Sequence, residues 1–186
     1  KGDVPGKDSG EVLVFESEDK VNWRFQKRIS SEQPFGYMWE CPDFFQLGGI
    51  NILIVCPQGV DAEEIRYQNI YQCGYFAADT RHYLSTHLPL EELGGFTELD
   101  YGFDFYAPQT FQDEKGRPIM IGWAGMPDAD YENPTAQKES WQHCLSVPRV
   151  LEWRNGQICQ QPAEELQKLR QEKISEEITG CFTKKD

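Results

Sequence analysis

The chain has 186 residues, with 18 Lys and Arg against 31 Asp and Glu, a formal charge of −13. That length suits one ordinary domain or a piece of a larger protein, and the charge disfavours partners with phosphate backbones or anionic lipid surfaces. A hydrophobic share of 39%, a third of it aromatic at 13%, excludes disorder as the main state, and 16 Gly with 11 Pro favours turns over long helices.

No apolar run approaches the roughly 20 residues of a membrane span, and Lys1 to Pro5 carries no hydrophobic leader core. Lys1 is not an initiator residue, so the start of the chain says nothing about localisation or about what precedes it. Taken in chain order, runs rich in β-branched and aromatic residues cover 11–17, 23–29, 37–47, 50–57, 71–79, 96–111 and 118–125. Gly, Pro, Asp and Asn separate them, which predicts an all-β fold. One stretch predicts a short terminal helix: Pro162 at a first-turn position, then Ala163 to Leu169, with Glu164 four residues before Lys168. Six scattered cysteines, Cys41, Cys56, Cys73, Cys144, Cys159 and Cys181, show no zinc spacing. Most sit in strand-like runs, so they are expected to be buried reduced thiols, which favours a cytoplasmic protein.

The sequence repeats itself. Cys41-Pro42-Asp43-Phe44-Phe45-Gln46, a Gly turn and Ile52-Leu53-Ile54 are echoed by Ala107-Pro108-Gln109-Thr110-Phe111-Gln112, a Gly turn and Ile119-Met120-Ile121. A weaker echo in Gly10 to Ser17 supplies only the second strand of such a hairpin. Hairpins recurring every few tens of residues point to a β-propeller, each blade having about four strands. A closed propeller takes at least about four blades and this chain holds material for about three, so a partial propeller is expected. Immediately before the repeated Pro segment, Glu40 stands where the second copy has Tyr106. Glu is a poor strand former, and this one lies between Trp39 and Cys41-Pro42. If that apolar frame buries it, its carboxyl is raised toward a general acid; if strand alternation turns it outward, it is a solvated surface residue. Spacing leaves both open.

Trp39-Glu40-Cys41-Pro42-Asp43-Phe44-Phe45 resembles the Glu-Cys-Pro motif of the glycoside hydrolase family of invertases, fructanases and sucrose-6-phosphate hydrolases, family thirty-two. The segments 99–111, 116–127 and 146–151 follow the same family's pattern in order, in wording nearest to its bacterial sucrose-6-phosphate hydrolases. The resemblance implies a five-bladed propeller that cleaves a fructosyl bond with retention, one carboxylate attacking while a second protonates the leaving oxygen and then activates water. It assigns Glu40 the acid/base role and puts Asp104, Trp123 and Trp39 at the sugar pocket, with sucrose, its 6-phosphate or a fructan as the sugar substrate and no metal or cofactor. The Trp123 ring is also a natural packing residue, and Asp104 a natural loop cap.

The departures carry as much weight. The family's attacking carboxylate lies in an Asn-Asp-Pro-Asn motif and its transition-state-stabilising carboxylate in an Arg-Asp-Pro motif, yet no Asn or Arg in this chain is followed by Asp. The chain therefore reads as a middle portion: residues 1–161 a partial propeller, 162–186 a linker helix leading toward a β-sandwich. A fructosidase piece unable to turn over sucrose by itself, and a carbohydrate-binding propeller without chemistry, are the two readings. Other signals are weaker. Arg81, His82 and His87 lack a third ligand at usable spacing. Gly48-Gly49 and Gly94-Gly95 suit turns, because no helix opens after them, and Asp61 to Glu64 suits a solvated loop.

Overall fold

The computed structural model describes residues 2–4, 7–30, 34–79 and 95–172. Two short strands, β1 (Gly2–Val4) and β2 (Lys7–Ser9), pair first, followed by a hairpin of β3 (Glu11–Glu16) and β4 (Arg24–Ser30). A four-stranded antiparallel sheet then runs in chain order through β5 (Met38–Leu47), β6 (Ile50–Gln58), β7 (Gly74–Asp79) and β8 (Thr97–Glu98). The next sheet repeats that meander with β9 (Tyr106–Gln112) and β10 (Pro118–Ala124). Between them and the third strand comes a short helix, α1 (Pro134–Glu139). The third strand is split by Pro148 into β11 (Cys144–Leu145) and β12 (Arg149–Arg154), which both pair with β10, and β13 (Gln157–Pro162) closes the sheet.

The β5–β6 turn shows why the hairpins form where they do. Gly48 and Gly49 have φ of 59° and 82°, the left-handed pair that a two-residue hairpin with native twist requires. β6 then carries an unbroken apolar run because both its faces are covered. Ile52, Ile54 and Cys56 face Tyr106, Met120 and Leu151 of the following sheet, whereas Leu53 and Val55 face Ile29 and the β3–β4 hairpin. Ile52, Ile54, Val55 and Phe76 are fully buried, each contributing about 1.5–3 kcal/mol. Successive sheets thus stack face to face, as blades do.

Several expectations shift. The strand expected over 96–111 is broken: Asp100 Oδ1 accepts the Gly102 amide at 2.9 Å, and this turn separates β8 from β9. The terminal helix is a single 3₁₀ stretch, Glu164–Leu169, with no side-chain cap; residues 173–186 lie outside the described ones. Strands β11, β12, β13 and helix α1 were not anticipated. Of the cysteines expected to be buried, Cys56 and Cys73 are, Cys41 and Cys159 are half-buried and Cys144 is exposed; these five are free, and Cys181 lies outside the described residues. So do Arg81, His82, His87 and Gly94. None of the described helices is long and apolar enough to cross a membrane.

Candidate active site

Two bulges build the site. In β5 the register against β6 slips by one residue between Glu40 and Asp43, and in β9 the register against β10 slips between Tyr106 and Gln109. Each bulge holds a non-glycine residue in the left-handed region, Cys41 at φ 49° and Ala107 at φ 48°, just before its proline. A bulge bends a strand and re-aims the neighbouring side chain. Here the two bulges aim Glu40 and Tyr106 at each other across adjacent sheets.

The half-buried Glu40 carboxylate accepts on Oε2 from the Tyr106 hydroxyl at 3.0 Å and from Gln58 Nε2 at 3.1 Å. Tyr37 donates to Gln58 Oε1 at 3.0 Å, which fixes the way the amide faces. The expected apolar frame is therefore replaced by a polar one. Tyr106 is almost fully buried, and its phenol is pushed well above the ordinary range, chiefly by that burial, with the neighbouring Cys56 and Glu40 adding to it and the Gln58 hydrogen bond opposing. It stays a proton donor at any physiological pH. One turn further along β5, Asp43 Oδ2 accepts the Thr110 backbone amide of β9 at 2.7 Å, pinning the two bulged strands together. Burial moves the Asp43 carboxyl upward, against the pull of its Thr110 hydrogen bonds.

Trp39 lies apart from this pair. Strand alternation sends it to the opposite face from Glu40, where it is buried at 4% exposure. It packs on Phe76 with ring centroids 5.4 Å apart, and its indole N–H donates to the Phe35 carbonyl at 2.7 Å. A Cβ on Gly10 would meet the indole at 2.1 Å, so the backbone itself closes over this ring. Among the described residues Trp39 is part of the core.

Trp123 and Asp104 sit differently. Trp123 pairs with Tyr106 across the β10–β9 ladder and keeps its half-buried ring on a cleft of about 320 Å³, 5.0 Å from the His143 imidazole. Asp104 accepts a hydrogen bond from the Tyr131 hydroxyl, and Tyr131 lines that cleft. Asp128, also on the cleft, accepts from Tyr71 at 2.8 Å, and the Tyr71 ring lies 6.2 Å from that of Tyr106. Both phenols are raised, Tyr71 and Tyr131 alike first by the hydrogen bond to their carboxylate. Sequence reasoning missed Gln58, Tyr37, Tyr71, Tyr131 and His143. Gln58 ends the apolar run of β6, the one available hint that its side chain reaches a wet opening. Among the described residues no group of three or more His, Cys, Asp or Glu is placed to hold a metal.

The glycosyl hydrolases family 32 N-terminal domain matches residues 4–162. A sucrose-6-phosphate hydrolase of Staphylococcus xylosus is 48% identical over 165 residues, 88% of this chain and 32% of that protein. One from Bacillus subtilis is 43% identical over 166 residues, 87% of this chain and 34% of that protein. Among solved structures, a Bombyx mori GH32 beta-fructofuranosidase in complex with sucrose superposes with a TM-score of 0.80 at 36% identity, covering 90% of this chain and 35% of that one. The chain spans about a third of the length of these relatives. The match, the ordered motifs and the stacked four-stranded meanders agree: the chain belongs to glycosyl hydrolase family 32, and its sheets are blades of that family's five-bladed propeller.

Proposed function

We propose that the protein carrying this chain hydrolyses the fructosyl bond of sucrose or of its 6-phosphate with retention, and that Glu40 is the acid/base. One observation carries the reading: a carboxylate held between a buried phenol and an oriented amide, the phenol being the ladder neighbour of Trp123 on the wall of an aromatic-lined cleft. A group so fixed delivers a proton to a leaving oxygen without first reorganising. Two-carboxylate glycoside hydrolysis needs no metal or cofactor. The relatives named above support the substrate class. We read 1–161 as propeller and 162–186 as the start of a connection onward, a division supported by the family match ending at residue 162. The free thiols of the five described cysteines support a reducing, cytoplasmic setting.

The test is release of fructose from sucrose and sucrose 6-phosphate by the full-length protein. Glu40→Gln keeps shape and hydrogen bonding but removes the titrating proton, and turnover is expected to fall by roughly 10² to 10⁴-fold. Substrates with good leaving groups suffer least. Wild-type turnover in the Gln variant overturns the assignment. The 186-residue chain alone, with neither Asp motif, is expected to release no sugar, because losing one member of a catalytic pair costs several orders of magnitude.

A further inference from the structure

We propose that His143 reads a phosphate on the leaving hexose and so sets the preference between sucrose 6-phosphate and sucrose. The inference rests on the fructosyl hydrolysis proposed above. The leaving group of such a reaction must lie on the acid's side, and the cleft is joined to Glu40 by two routes. Trp123 is the ladder partner of Tyr106, which donates to Glu40. Tyr71 packs near Tyr106 and donates to Asp128 on the cleft wall. At about 320 Å³ the cleft is at the small end of ligand sites, the size for one sugar ring.

Its lining gives the chemistry. Trp123 offers an apolar ring face, while Asn133, Gln142 and Tyr131 offer amide and hydroxyl groups. The carboxylate that lines this space, Asp128, is already engaged by Tyr71, and Asp104, behind the lining Tyr131, accepts from that hydroxyl. Among the described residues lining the cleft, His143 is the one basic side chain. An imidazole donates a hydrogen bond in either protonation state and can carry a full positive charge, which suits a phosphate and is dispensable for a hydroxyl. Its backbone is held in the left-handed region at φ 61°, as is Ser140 three residues earlier. Holding two side-chain-bearing residues there costs energy, and the arrangement sets the imidazole edge-on against Trp123.

The experiment compares kcat/KM for sucrose 6-phosphate and sucrose in the full-length protein at about pH 6, for wild type, His143→Asn and His143→Lys. Asn tolerates the left-handed backbone, so the first variant isolates the side chain; Lys restores a cation. The ratio favouring the phosphorylated substrate is expected to fall roughly tenfold to hundredfold in His143→Asn, the size of one lost charge-assisted hydrogen bond, and to recover largely in His143→Lys. Glucose 6-phosphate should also inhibit the wild type more tightly than glucose does, and the Asn variant should lose that difference. An equal loss on both substrates, or an unchanged ratio, overturns the role of His143 while leaving Glu40 as acid/base. A wild-type protein that cleaves neither substrate overturns the underlying reading together with it.

Discussion

The bulge of β5 and the bulge of β9 are one backbone device used twice. Each slips the register by one residue, each holds a left-handed residue at φ near 50°, and each continues into proline. What differs is the side chain just before the device, a carboxylate at Glu40 and a phenol at Tyr106, and these two meet at 3.0 Å. A propeller supplies equivalent positions in neighbouring blades converging on one opening, so a single change of residue type turns a structural repeat into a donor–acceptor pair. The shared bulge is architecture; the hydrogen bond lies in the unshared residues. The second asymmetry follows the same rule. Asp43 grips the Thr110 amide of the next blade at 2.7 Å, whereas its counterpart Gln109 is exposed and reaches the Cys41 carbonyl only at 3.5 Å.

The strongest way to break this comparison is Tyr106→Phe in the full-length protein. If the pair works as a unit, removing the hydroxyl leaves Glu40 with one donor. Turnover is then expected to fall about 10- to 100-fold, as for one hydrogen bond to a charged group. That loss should be smaller than the one from Glu40→Gln and should leave the urea midpoint nearly unchanged relative to the loss in rate. An unaffected kcat means that the phenol is only core packing.

The two gripping positions give the next contrast. Asp43→Ala leaves a backbone amide without its acceptor between two blades, which is expected to cost about 1–3 kcal/mol of stability. Gln109→Ala removes a long interblade contact and a local bond to the neighbouring Pro108 carbonyl at 2.9 Å, and is expected to stay within about 0.5 kcal/mol. Chemical denaturation of both variants reads the difference, and equal losses would mean that the interblade grip is not specific to Asp43.

The bulges themselves can be tested against each other. A β-branched residue resists the left-handed region, so Cys41→Val and Ala107→Val should each lose about 1–2 kcal/mol. Gly at either position relieves that steric cost. The Val at 41 should in addition slow turnover, since it shifts Glu40, and a Val at 107 should do so through Tyr106. Stability falling without any change in rate would separate the bulge from the aim of the side chains.

Much of this pairing was legible in the sequence, because strands β5, β6, β9 and β10 are apolar, are bounded by glycine turns and repeat one motif. The strands that escaped are those with little buried surface. β12 and β13 alternate Glu152, Arg154, Gln157 and Gln160 with few core residues, and only Leu151 is fully inside. Their one signal was Asn155-Gly156, which takes φ of 54° and 79° as a tight hairpin turn. Helix α1 buries nothing and announces itself only through Asn133, whose side chain caps Thr135, and Pro134. In the site, Glu40 could be singled out because the repeat lacks a second Glu there. Trp39 could have been assigned to the core from its place next to Glu40, since neighbouring strand residues face opposite ways. Gln58 and Tyr71 lie 18 and 31 residues from Glu40 in the chain, and only the sheet brings them near; Gln58 donates to that carboxylate at 3.1 Å.

The smallest contrast concerns the far ends of the two hairpins. The β5–β6 turn is the pair Gly48-Gly49, which carries no charge and rests on Trp153, while the β9–β10 turn is anchored by ion pairs: Arg117 pairs with Asp113 at 2.6 Å and with Glu165 of the 3₁₀ stretch at 2.8 Å, and Lys115 reaches Glu165 at 3.1 Å. The Arg117 hydrogen bond holds the Glu165 carboxyl at about 2, below its ordinary value of 4.5. A carboxyl lowered in the folded state stabilises the fold wherever the unfolded chain is already ionised. Its contribution is therefore full above about 4.5 and is lost as pH falls toward about 2. Arg117 stays charged throughout, so the titrating partner is Glu165 and not the guanidinium. These groups are partly exposed, which keeps the effect small and sensitive to salt. Melting temperatures of wild type and Glu165→Gln are expected to differ slightly at pH 7 in low salt, to converge as pH drops through that window, and to converge at neutral pH in 1 M salt. A gap that widens on acidification would mean that the anchor opposes the fold, leaving the second hairpin no better fastened than the glycine turn of the first.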